Sequence, residues 1–418
     1  MRIHDPAVQL SFNGNIPSFT GPTAGAQDCA KDQRETDASE FINSKSRLRR
    51  ESARDIAALT TSPRAPETEV IVARGSVQLG RAHQTPTRMR RQSAQRHHER
   101  PLVKYGYSLY CEGNAPRSLI DQAVMAEAAG FDFLVISDHF HPWLNEQSHA
   151  GFAWSILGAV AQATQRIELT TMVTCPIVRY HPAVVAQAAA TMGVISDGRF
   201  TLGLGAGENL NEHVVGRDWP PVVIRHAMLR EAIDIIEGLW GGGYFAYEGQ
   251  YFKVYDARVF DLPEEPIEMF VAASGARSAE LAVRGGGVCV TSPDAKVVEH
   301  FTNAGGDSNR VWGQIVTAWA PTKEAGLEDA YHNFRFSLGG WKVQSELPNP
   351  VNFTAASANV KPGDLDASIP AGPDTTRHVD GIAEYARAGV QRLALAYPGD
   401  DFKGFFGFWR SELRPALG

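Results

Sequence analysis

The 418-residue sequence predicts an α/β protein built on one (β/α)₈ barrel, a TIM barrel, with an insertion over the barrel mouth and a disordered N-terminal extension. Three observations carry this. From about Leu102 onward, short apolar runs rich in β-branched residues alternate with amphipathic stretches, the pattern of a parallel sheet with crossover helices. The first run ends in Tyr110-Cys111-Glu112-Gly113-Asn114-Ala115-Pro116, not in the glycine-rich loop that often opens a doubly wound sheet, so closure is favoured over an open sheet. Residues 1–101 are rich in Ser, Thr, Arg, Gln and Ala without a sustained period of 2 or 3.6, and such a stretch cannot bury enough apolar surface to offset its ordering entropy. The division expected is therefore an extension over 1–101 and a catalytic barrel over 102–418.

Eight strands are expected, over Lys104–Cys111, Phe133–Ser137, Ile167–Val173, Arg199–Leu204, Met269–Ala273, Val288–Thr291, Gln314–Ala318 and Gln391–Ala396. Helices fall between them, such as Arg117–Ala129, with Leu119, Ile120, Ala123, Val124 and Ala126 at amphipathic spacing, and His226–Trp240. The span from about Trp319 to Asp374 is too long and irregular for a simple connection, and reads as the insertion, with some helix of its own.

Composition narrows the function classes. Hydrophobic residues make up 43% and charged residues 21%, and the formal net charge is -7, which gives no general attraction to nucleic acid or anionic membranes. The basic stretch Arg81–Arg100 lacks aromatic residues that could stack on bases, and reads as a solvated tail. Neither arginine pair, Arg49-Arg50 or Arg90-Arg91, is followed by the apolar segment an export signal needs, and no run of about 18 apolar residues is present. Four scattered cysteines (Cys29, Cys111, Cys175 and Cys289) suggest neither a zinc knuckle nor a disulfide framework. A cytoplasmic protein that handles a small molecule, without membrane or nucleic-acid partner, is the expectation.

The active site of a (β/α)₈ barrel lies where the strands end, so the residues just after each strand are the candidates. They are Glu112 after the first; Asp138, His139 and Trp143 after the second; Thr174 and Cys175 after the third; and Gly205-Ala206-Gly207-Glu208-Asn209-Leu210-Asn211 after the fourth. Singly each has an ordinary explanation as a loop residue or cap, and their shared position is what points to chemistry. After the fifth strand, Ala272-Ala273-Ser274-Gly275 precedes a helix start, where free backbone N–H groups suit an anion. His139, His141 and His149 are not spaced to share a metal on one helix face, and no metal is expected.

Three segments carry a specific resemblance: Ser137-Asp138-His139-Phe140-His141-Pro142-Trp143, then Pro176-Ile177-Val178-Arg179-Tyr180-His181-Pro182 with Ala186-Gln187, and Phe200-Thr201-Leu202-Gly203-Leu204-Gly205-Ala206-Gly207-Glu208-Asn209-Leu210-Asn211-Glu212. Together they resemble the F420-dependent glucose-6-phosphate dehydrogenase group of the luciferase-like superfamily, over most of Lys104 to the C-terminus. The resemblance implies the luciferase-like form of the barrel, a homodimer, and coenzyme F420, with FMN the alternative on this fold. It implies His139 as base on a substrate hydroxyl, Glu208 as proton donor or charge stabiliser, Trp143 at the reacting centre and Glu112 lining the substrate pocket. On the cofactor side it implies Asp138, Gly207 and Asn211; the segment Met172, Val173 and Thr174, with a cis peptide between the first two; and Ala272, Ala273, Ser274 and Gly275 around the phosphate.

Hydride loss from an alcohol needs a base within hydrogen-bond reach of the hydroxyl, and histidine is the side chain that commonly exchanges protons near neutral pH. In the resembled group two lysines and an arginine hold the sugar phosphate. Here the first lysine position falls on Asp294, or on Lys296 only with a shift. The arginine position falls near Asp366-Ala367, and the second lysine in the region of Lys342. An aspartate repels a dianionic phosphate. An uncharged alcohol or carbonyl substrate is therefore expected in place of glucose 6-phosphate, with an FMN-dependent monooxygenase and a true sugar-phosphate dehydrogenase as alternatives.

Overall fold

The structure, a computed structural model, describes residues 103–418. The expected disordered extension over 1–101, with the basic Arg81–Arg100 stretch and the arginine pairs, lies outside the described residues. Eight parallel strands close into a barrel: β1 (Lys104–Leu109), β2 (Phe133–Ile136), β3 (Glu168–Thr171), β4 (Phe200–Leu204), β7 (Glu268–Ala272), β8 (Val288–Val290), β9 (Val311–Val316) and β10 (Arg392–Ala396), with β10 pairing back onto β1. These are the eight strands expected, the seventh beginning three positions earlier, at Val311. A short antiparallel ribbon, β5 (Phe245–Glu248) with β6 (Lys253–Ala257), was not foreseen; its alternating half-exposed residues carry no apolar run.

The two helices singled out form over Pro116–Ala128 and Val222–Trp240. In the first, proline occupies the opening turn, where its missing N–H costs nothing, and Leu119, Ala123 and Ala126 are buried. In the second, Leu229, Ala232, Ile233, Ile236 and Leu239 form the buried stripe. Among the described residues no helix is long and apolar enough to cross a membrane.

The barrel interior is filled in layers. At the N-terminal ends of the strands, Glu168 bonds Lys104 Nζ at 2.7 Å and also pairs with Arg392. Since β3 neighbours neither β1 nor β10, these pairs span the barrel floor. Above them the Trp312 ring packs on Phe270 (4.6 Å between centroids, 26° between planes) and edge-on to Phe133 (5.3 Å, 79°). Each such buried ring contributes roughly 1.5–3 kcal/mol by leaving water. Met172 and Val173 pack on top of this layer and form the base of the mouth.

The insertion between β9 and β10 holds helices at Lys323–Phe334, Trp341–Gln344 and Pro350–Ala356. It reaches the loops of the mouth: Asn209 N donates to Ser345 O at 3.0 Å, Arg335 pairs with Glu146, and Phe336 stacks on Trp143.

Candidate active site

The strand ends bring Glu112, Asp138, His139, Trp143, Glu208 and Asn211 together. Glu112 follows β1 and is 1% exposed, with Oε2 accepting from Ser137 Oγ at 2.6 Å and Oε1 lying 3.0 Å from His139 Nδ1. The Nδ1 contact is at ion-pair distance but lacks hydrogen-bond alignment, and a small ring rotation would supply it. Ser137 in turn is fixed by Cys111 N, which donates to its Oγ at 3.1 Å. Glu112 is thus enclosed by protein partners. It stands behind the imidazole, where a carboxylate orients the ring and leaves Nε2 as the nitrogen that can accept a proton.

The Trp143 ring lies 4.8 Å from His139 (58°), and its other contacts come from the insertion: Phe336 stacked at 4.6 Å and 14°, Phe353 edge-on at 5.0 Å and 78°. This is an apolar wall beside the imidazole. Sequence reasoning placed the insertion but missed both phenylalanines, because their contact with Trp143 spans about 200 residues of chain and follows no local pattern.

Asp138 is held by protein donors. Its carboxylate is fully enclosed, Oδ2 accepting from Thr174 Oγ1 (2.7 Å) and Oδ1 from Arg179 Nη2 (2.9 Å) and Tyr180 Oη (3.2 Å). Through these donors it joins the loops after β2 and β3. Thr174 is spent the same way, its N–H also donating to Gly203 O at 2.9 Å. Asn211 is fully buried, and its Oδ1 accepts from the N–H groups of Phe140 (2.9 Å) and His141 (3.2 Å), while Nδ2 approaches Glu208 Oε2 at 3.4 Å. It ties the loop after β2 to the loop after β4.

Glu208 is half-buried at the start of the short helix Asn209–Glu212. Four residues on, Glu212 is fully buried, and its carboxyl is pushed up to about 7. Burial is the main cause; the Arg179 N–H and charge oppose it, and the neighbouring charges of Glu208 and Asp138 add to it. Glu212 and Arg179 are the other residues that sequence reasoning left without a role, although both stand inside the quoted motifs.

The Met172–Val173 peptide is cis. Gly207 has φ +73°, and a Cβ there would come 2.4 Å from Cys175 Sγ, so this turn of the loop admits only glycine. Ser274 is exposed and Gly275 half-buried ahead of the helix Ala276–Ala282, but the Ser274 N–H already donates to Ser278 Oγ at 3.1 Å, so anion donors must come from the first turn of the helix itself. His141 Nδ1 lies 2.9 Å from Leu210 O, and among the described residues no group of three or more His, Cys, Asp or Glu is placed to hold a metal.

The profile of the luciferase-like monooxygenase family matches residues 79–392. The chain belongs to the luciferase-like family. Among its luciferase-like relatives, the F420-dependent glucose-6-phosphate dehydrogenase of Mycolicibacterium fortuitum is 34% identical over 331 residues, covering 75% of this chain and 98% of the relative. The enzyme of that name from Microbacterium testaceum (strain StLB037) is 33% identical over 329 residues, covering 75% and 97%. A solved F420-dependent secondary alcohol dehydrogenase, in complex with an F420-acetone adduct, superposes with TM-score 0.71 at 26% identity, covering 76% of this chain and 99% of that one. The coenzyme F420-dependent tetrahydromethanopterin reductase of Methanopyrus kandleri, at 22% identity and TM-score 0.59, shares the luciferase-like fold.

Proposed function

We propose that this luciferase-like chain is an F420-dependent oxidoreductase acting on an uncharged organic alcohol or carbonyl, with His139 as the base that exchanges the hydroxyl proton. The glucose-6-phosphate dehydrogenase relatives and the secondary alcohol dehydrogenase neighbour are F420-dependent, and the oxidoreductase class and the cofactor follow from them. The observation that carries the residue assignment is the contact of His139 Nδ1 with Glu112 at the barrel mouth, beside Trp143.

The residues present fit the cofactor. The half-buried Met172 and Val173 give a flat apolar floor, Glu208 offers a carboxyl at its edge, and the helix start after Ala272, Ala273, Ser274 and Gly275 offers backbone donors, with open space over Gly275. Bound there, F420 supplies the hydride carrier. The chain's own part is then to hold the substrate hydroxyl against His139 Nε2, take its proton, and return it in the reverse direction. Glu112 keeps the ring oriented and stabilises its charged form. Trp143, Phe336 and Phe353 exclude water and favour an apolar substrate.

The substrate proposal rests on charge. Asp294 caps the helix Ala295–Asn303, its carboxylate accepting from Lys296 N at 3.0 Å; the resemblance aligns a lysine of the sugar-phosphate group with this aspartate, or with Lys296 after a shift. Asp366 is paired with Lys323 at 2.6 Å and Arg377 at 2.8 Å, which consumes both nearby cations. A dianion needs free charge-assisted donors. Incubation with F420 and with FMN, read by the bound spectra, should show F420 retained. A secondary alcohol should then bleach the F420 absorbance far faster than glucose 6-phosphate, and rapid turnover of the sugar phosphate would sink the substrate reading. The same reading takes residues 102–418 as the catalytic unit and expects a cytoplasmic homodimer, which sedimentation of the purified protein would check.

A further inference from the structure

Arg179, in the loop after β3, has a side chain only 7% exposed and makes contacts on both sides of the mouth. Its Nη2 donates to the Asp138 main-chain carbonyl at 2.7 Å and to Asp138 Oδ1 at 2.9 Å. That carbonyl belongs to the peptide bond joining Asp138 to His139. The main-chain N–H of Arg179 donates to Glu212 Oε2 at 2.7 Å, and its Nε faces Glu212 Oε1 at 3.7 Å, a gap too narrow for a bridging water. On the far side of His139, Asn211 holds the N–H groups of Phe140 and His141. The His139 backbone is thus gripped before the residue by Arg179 and after it by Asn211, and both grips lead to the helix that begins beside Glu208.

We propose that Arg179 is a positioning residue for His139: by pinning the Asp138–His139 peptide plane to the loop after β4, it fixes the direction in which the imidazole leaves the backbone. The proposal rests on His139 being the base. A guanidinium suits the task because Nη2 serves both the carbonyl and the carboxylate of Asp138 while the rigid plane turns Nε to Glu212. The single ammonium of lysine keeps the charge but cannot serve Asp138 and Glu212 in that one fixed plane. Removing the cation altogether would strand buried Asp138 and Glu212 and test folding, so R179K is the informative variant.

Two measurements decide it. In long-range ¹H–¹⁵N spectra of the cofactor-free, histidine-labelled protein, the His139 ring signals are assigned by their loss in H139N. They should shift or broaden in R179K, while those of His378, buried elsewhere with Nε2 2.9 Å from Gly372 O, stay in place. Turnover per F420-binding site should fall about 10²-fold, the cost of a roughly 1 Å misplacement, with KM and F420 affinity held within about threefold, the signature of a loss confined to the transition state. Unmoved His139 signals in R179K would overturn the proposal, as would full turnover per site alongside a lowered melting temperature, which is what a merely structural arginine gives. If the wild-type protein turns over nothing with F420, the proposed function fails, while the spectra still decide the role of Arg179.

Discussion

At the barrel floor one carboxylate, Glu168, meets two cations, Lys104 and Arg392; at the mouth Glu112, Asp138, Glu208 and Glu212 crowd around one buried guanidinium, Arg179, and one imidazole, His139. The floor groups are partly solvated, with side-chain exposures of 45%, 30% and 20% for Lys104, Glu168 and Arg392, whereas Arg179, Asp138 and Glu212 are almost wholly enclosed. The two carboxyls at the centres of these clusters move in opposite directions. Burial pushes Glu168 up, but the Lys104 hydrogen bond and the Arg392 charge outweigh it and the net shift is down. Burial pushes Glu212 up to about 7, and Arg179 does not cancel it. The floor is arranged for stability, and the mouth tolerates an unfavourable surplus of anionic groups to keep proton-exchanging residues in place.

The comparison breaks first at His139. H139A should lower turnover by about 10²–10⁴-fold, the usual worth of a general base, while F420 still binds, as read by fluorescence titration. Retention of wild-type turnover would remove the mouth's chemical role and leave only its odd electrostatics.

Next in size is Glu212. A carboxyl raised in the folded state holds its proton longer than in the unfolded chain, so stability should fall as pH rises from about 4.5 to about 7 and level off above. The change is on the order of 2 kcal/mol, given about 1.4 kcal/mol per pKa unit and discounting for relaxation. E212Q should flatten that slope and be at least as stable as the wild type at pH 8 in urea titrations. An unchanged slope in E212Q would place the titration elsewhere.

The smallest effect belongs to the floor. A depressed carboxyl adds stability that is present above its unfolded pKa and lost as pH falls through the folded one, but solvent screening limits it. E168Q should cost under about 1 kcal/mol at neutral pH, with turnover unaltered. A larger loss, or an effect on turnover, would mean that the two ends are coupled through the ring layer of Phe133, Phe270 and Trp312.

The strands were legible because each is an apolar run at regular spacing, and Leu134, Leu202 and Val271 are buried as such runs require. The ribbon of β5 and β6 was not, since Tyr244, Tyr255 and Lys253 face solvent and leave no apolar alternation to detect. That His139, Glu208 and Trp143 gather at one mouth followed from the rule that strand ends share a face, and the cis Met172–Val173 step followed from the resemblance. What the sequence could not convey was which polar residues bond one another. Asp138, Glu112 and Asn211 all stand at the right ends of strands, yet their partners, Arg179, His139 and the Phe140 and His141 N–H groups, come from other loops.

The wall of Phe336 and Phe353 has a consequence of a different kind. The proton-handling residues sit on loops anchored to β1, β2 and β4, while this wall arrives on a separate length of chain between β9 and β10. Grafting or redrawing that length could therefore change which molecules are admitted while the proton chemistry stays untouched, so descendants of one ancestor could diversify in diet without reinventing the reaction.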